Sequence, residues 1–166
     1  MNSRVCTLFL ACTLAVQAAG DECIEVPQQK AFTRASVVFW GQVVNRDHLD
    51  FSDANEPHVV PHSRPGSEPQ LVRFNVIRNW KGPRIGEITV FTFASPSLGS
   101  QYRFEDGGQY IVYVISEDIP PADLTWLRKK LHLDKPVYGL GYPCRLRVRA
   151  DVVQESRLLG KGRKPH

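Results

Sequence analysis

Seven side chains able to ligate a metal or move a proton crowd into one stretch of this chain: Asp47, His48, Asp50, Asp53, Glu56, His58 and His62. Such a mixture of carboxylates and imidazoles suits zinc or calcium, and His58 and His62 have the spacing of two ligands on one helix face. Pro57 and Pro61 oppose a regular helix there, and neither an EF-hand loop nor an H-E-x-x-H run occurs. With Pro65 and Pro69 added, the stretch from Asp47 to Pro69 reads as a long solvated loop, and no metal is expected.

Nucleophilic chemistry has less support still. The chain has no G-x-S-x-G elbow, no serine or cysteine beside a plausible base, and no glycine loop built to cradle phosphate. Asp106-Gly107-Gly108 precedes a strand pattern instead of a helix, which marks a hairpin turn. The expectation is a protein that is not an enzyme and needs no cofactor.

Charge points to a different kind of site. From Arg128 onward the chain carries Arg128, Lys129, Lys130, Lys135, Arg145, Arg147, Arg149, Arg157, Lys161, Arg163 and Lys164, opposed only by Asp134, Asp151 and Glu155. A basic final third suits an acidic protein partner or a polyanionic glycan, with Lys129, Lys130, Arg145, Arg147 and Arg149 as candidate contacts. A solvated helix face and a frayed tail would explain the same charges without a partner.

Residues 1–20 have the layout of an export signal: Arg4, an apolar run from Val5 to Val16, then Ala18, Ala19 and Gly20. That run is too short to span a bilayer, and no second one approaches it. A lipid-modified start at Cys12 is the lesser alternative, because Phe9 suits such a site poorly. Losing Arg4, the only charge before Asp21, takes the formal charge from +4 to +3. The expected place of action is secreted or periplasmic, and no nucleic-acid partner is expected there.

Of 4 cysteines, Cys6 and Cys12 leave with the signal, so Cys23 and Cys144 remain. In an exported chain they most simply form one disulfide, closing a loop of about 120 residues for about 5 kcal/mol in the chain-entropy model. Two free thiols are the alternative.

Strands are expected at Val37–Val44, Leu71–Trp80, Glu87–Phe93, Gln109–Ser116 and Pro136–Tyr142. Leu71–Trp80 alternates most clearly, with Val72, Phe74 and Val76 on one side. Helices are expected at Gln28–Ala35, at Ala122–Leu131 with Leu124, Leu127 and Leu131 in one stripe, and at Arg149–Leu159 with Gly160 as the stop. Five short strands with interposed helices favour a small curved barrel. The expected organisation is one domain over 21–160 and a disordered basic tail over 161–166.

Three signatures lie in order along this scaffold: Ala35-x-x-Val38-Phe39-x-Gly41-x-Val43, Phe74-x-Val76-x-x-x-Trp80-Lys81-Gly82, and Phe104-x-x-Gly107-Gly108-x-Tyr110-x-Val112-Tyr113. On these residues the chain resembles the netrin-like, tissue-inhibitor-of-metalloproteinases-like OB-fold family, from about Cys23 to Gly160. The resemblance implies a mainly β, five-stranded OB-like barrel with two or three short flanking helices and a Cys23–Cys144 disulfide. Phe39, Gly41, Phe74, Trp80, Lys81, Gly82, Phe104, Gly108, Tyr110 and Tyr113 are then structural motif residues. It also implies, as an alternative to a binding module, inhibition of a metalloproteinase through a first-residue cysteine amine. Signal cleavage that leaves Asp21-Glu22 ahead of Cys23 removes that amine.

Overall fold

The computed structural model describes residues 27–50, 68–94, 104–115, 119–140 and 152–166. The signal segment, Cys23, Cys144, the stretch from Asp53 to His62, and Arg145, Arg147 and Arg149 lie outside them.

Strand β1 (Val37–His48) is the spine, because both of its edges are paired. Antiparallel neighbours are β2 (Glu68–Lys81) on one side and β4 (Gln109–Val114) on the other. β3 (Glu87–Ala94) runs antiparallel to β2, and β5 (Val137–Gly139) runs parallel to β3. The result is a five-stranded open sheet in the order β4-β1-β2-β3-β5. Three helices flank it: α1 (Gln28–Arg34), α2 (Pro121–Lys130) and α3 (Val152–Leu159).

Both sheet faces carry apolar residues, so the core falls into two parts. One face gathers Phe39, Val43, Phe74, Val76, Ile88, Val90, Phe104, Val112 and Leu140, with Ala31 and Ala35 from the α1 segment packed in. Phe91, Phe93, Leu71 and Val137 occupy the opposite face of β2, β3 and β5, and α2 covers them with Leu127, Leu124 and Leu131. The leucine stripe expected of α2 therefore does meet a core, and Pro121 stands in its first turn, where a missing N–H is harmless.

Four expectations need correction. β1 reaches His48 and β2 starts at Glu68, so each strand extends into the stretch that the prolines marked as loop. Pro69 is tolerated because it sits second in β2, where its carbonyl accepts the Leu49 N–H at 2.9 Å. β5 begins at Val137 and spans three residues, since Gly139 lies against Ile119 and Leu140 turns its N–H to Phe91 O.

The terminal segment is the fourth. Residues 161–166, expected to be disordered, dock beside β2. Asn79 and Arg163 exchange both backbone hydrogen bonds, at 2.8 and 2.6 Å, and His166 N–H reaches Arg84 O at 3.4 Å. Gly160 and Gly162 hold positive φ and turn the chain back after α3. A side chain on Gly162 would meet Arg78 at 2.7 Å. Main-chain pairing, not apolar burial, holds this segment, so its composition gives no sign of it.

Candidate functional site

The motif residues are occupied with building the sheet. Phe39, Phe74, Phe104 and Tyr110 form a chain of edge-on rings, with centroids 5.3, 5.1 and 5.0 Å apart in turn. Gly41 lies where a Cβ would come within 3.0 Å of both Phe39 and Phe74. Gly108 is required by the same packing: a Cβ there would sit 2.7 Å from the Tyr110 ring and hydroxyl. That hydroxyl accepts the Glu105 N–H at 2.9 Å. Burial pushes the Tyr110 phenol above its ordinary pKa, against the smaller opposing effect of that hydrogen bond.

Arg46 locks the turn onto β1. Its guanidinium holds Asp106 with two bonds, at 2.8 and 3.0 Å, and donates to Phe104 O at 2.8 Å. The bonds to Arg46 pull the Asp106 carboxyl below its usual range. Trp80 Nε1 donates to Gly160 O at 3.0 Å, tying β2 to the terminal segment. Lys81 Nζ caps α1 by donating to Phe32 O and Thr33 O at 3.3 and 3.1 Å. Gly82, at φ 88°, begins the turn against Val37. Tyr113 donates to the buried Glu155 at 2.7 Å and so anchors α3.

The candidate site lies instead where α2 ends. Its last turn is Arg128-Lys129-Lys130. The helix closes in a Schellman turn, with Leu133 N–H on Arg128 O at 3.0 Å and His132 N–H on Lys129 O at 3.3 Å. Glycine is the usual residue at the left-handed position of such a turn, but here it is His132, at φ 50°. Leu133 then returns to the core beside Leu124 and Leu131.

His132 stands between two depressions. One, of about 230 Å³, opens over the outer sheet face and is lined by Asp47, Arg73, Glu87, Thr89, Asp134 and Lys135 among others. Lys135 Nζ meets Glu87 at 2.9 Å, and Arg73 faces Asp47 at 3.9 Å. The second, of about 450 Å³, is lined by Thr125, Arg128, Lys129, His132, Leu133 and Asp134. Arg128 Nε is buried there without a hydrogen-bond partner, although Nη2 reaches Asp134 O at 3.4 Å. Lys130 lies over the Trp126 ring, 5.2 Å from its centre.

No family model matches the chain, and a search of curated proteins finds none similar to it.

Of the expected partner contacts, Lys129 and Lys130 sit at this corner, and Lys135 and Arg128 join them. Among the described residues no three His, Cys, Asp or Glu side chains come together as a metal site. Asp47 and His48 belong to β1, where His48 faces Glu68 at 3.6 Å. No helix among the described residues is long and apolar enough to cross a membrane. Sequence reasoning missed Arg73, Glu87 and His132. The one signal for Arg73 and Glu87 was the alternation of β2 and β3, which sets them on the face opposite Phe74 and Ile88, and none marks His132.

Proposed function

We propose that this chain is an exported, non-enzymatic binding module on an OB-like barrel stapled by Cys23–Cys144. Its partner is anionic, either a polyanionic glycan or an acidic protein surface, and it docks at the α2–β5 corner. One observation carries the reading. The basic last turn of α2 borders a depression of about 450 Å³ in which Arg128 Nε–H is shielded from water and unpaired. A buried donor without an acceptor is costly, by about 1–3 kcal/mol, and an anionic oxygen placed there would relieve it.

The barrel half of the reading draws on the strand order. The two outer strands, β4 and β5, are consecutive in the chain and joined through α2, so curvature would bring their open edges together. The export half rests on the charge and apolar layout of residues 1–20.

Replacing Lys129, Lys130, Arg145, Arg147 and Arg149 by alanine should lower the salt concentration at which the protein elutes from a polyanion column. Unchanged elution by a folded variant would overturn the proposal.

A further inference from the structure

The outer face of β1 and β2 continues away from the α2 corner as a surface of a distinct kind. Directly paired residues share a face. Trp40 pairs with Arg78 on β2 and Ile111 on β4, and Gln42 pairs with Asn75 and Gln109. Asn45 pairs with Arg73, which in turn faces Thr89 on β3, and Asn75 faces Glu87. An indole, four carboxamides and two guanidinium groups therefore share one sheet face, closed at the Trp40 end by the fully buried Ile111, and lead into the cleft of Arg73, Glu87 and Lys135. From Trp40 to Asp47 the strand covers about 23 Å.

Local bonds fix these groups. Trp40 Nε1 donates to Gln109 Oε1 at 3.2 Å, which sets the plane of a partly buried ring. Gln42 Nε2 donates to Gly107 O at 3.1 Å, so its Oε1 is left to accept. Asn45 Nδ2 donates to Asp47 Oδ2 at 2.8 Å.

We infer that this face binds a polysaccharide, with Trp40 as the platform for a sugar ring and Gln42, Asn75 and Gln109 as hydroxyl readers. Charged groups on the polymer meet Lys135, Arg128 and Lys129. The inference rests on the proposed anionic-partner reading and selects the glycan over the protein. The C–H face of a sugar ring is apolar and stacks on the negative face of an aromatic ring. Carboxamides offer both donors and acceptors to hydroxyl groups. A protein partner would instead favour an apolar centre within a polar rim, and here the amides occupy the centre.

Binding of the full chain to dextran sulfate and to polyglutamate of matched charge tests this. Dextran sulfate should bind more tightly. Asn75→Ala and Trp40→Leu should each weaken it roughly three- to tenfold, leaving polyglutamate unaffected. Asn75 is exposed, so its variant keeps the test valid should Trp40→Leu unfold. Equal binding of both polymers, unmoved by Asn75→Ala, overturns the polysaccharide while the basic corner stands. Binding of neither polymer overturns both readings.

Discussion

β1 shows two faces built on opposite principles. Phe39 and Val43 point into interlocked rings and aliphatic side chains, with Gly41 making room between them, whereas on the other side Gln42 and Asn45 are held by single hydrogen bonds and Trp40 by one such bond beside its partly buried ring. The inner face tolerates no change of shape, because a close-packed interior has no space to absorb it. Between Trp40 and the α2 corner the outer face reaches solvent at Gln42, Asn45 and Asn75, and those positions can be rewritten at little cost to folding. Nearly every residue behind the family resemblance is committed to the inner face, to a turn or to a cap. The resemblance therefore speaks for architecture, and recognition falls to residues that belong to no motif.

The sharpest way to break this contrast is to cut the ring chain at its middle. Phe74 is fully buried and touches both Phe39 and Phe104. Phe74→Ala should lose about 3–5 kcal/mol in urea unfolding. Asn75→Ala, one residue along on the opposite face, should stay within about 0.5 kcal/mol. Similar losses for both would erase the distinction between the faces.

The turn offers a finer test. Gly107 and Gly108 are adjacent but needed for different reasons. Gly107 has φ 75°, and a Cβ added there would meet nothing within 4 Å, while one added to Gly108 would be pressed by Tyr110 at 2.7 Å. Gly108→Ala should cost about 1–3 kcal/mol through collision. Gly107→Ala should cost about 1 kcal/mol through backbone strain alone. In Tyr110→Ser the Gly108→Ala penalty should shrink and the Gly107→Ala penalty should persist, as a double-mutant cycle would report.

What could be read beforehand follows the same division. Val72, Phe74 and Val76 announce β2, and Leu124, Leu127 and Leu131 announce α2, because burial imposes a period on apolar residues. Gly160 marks the end of α3, where the structure gives it φ 76°. Pro69 misleads, since a proline at the start of a strand forfeits no ladder bond that the strand needs. Segment 161–166 misleads too, because backbone pairing with Asn79 leaves no trace in side-chain type. The outer amides carry no period of their own and become a surface only once three strands are in register. His132 is the hardest to foresee: nothing in Leu131-His132-Leu133 announces a left-handed residue.

His132→Gly should stabilise the protein by about 0.5–1 kcal/mol, because glycine adopts φ near 50° without strain. The same variant should bind dextran sulfate less tightly, since the imidazole borders both depressions. A rise in Tm with unchanged binding would limit His132 to helix termination.

The smallest effects are those of pH on the lock between β1 and the turn. The folded Asp106 carboxyl has a pKa below its unfolded value, so its bonds to Arg46 stabilise fully above the usual carboxylate range, about pH 4. That contribution is lost as pH falls through the lower folded value. Gly107 N–H, bonded to Val43 O at 3.0 Å, should lose exchange protection in that interval before the strand amides do. Tyr110 has the opposite sign. Its pKa is raised by burial, so the fold is unaffected below about pH 10 and weakens above it, as the unfolded chain releases the proton first. Asp106→Asn should flatten the acid limb and leave the alkaline limb unchanged, and Tyr110→Phe should weaken the alkaline limb alone, leaving the share of Tyr138, whose phenol is likewise pushed up by burial. An acid limb that survives in Asp106→Asn would place the sensitive carboxylate outside the turn.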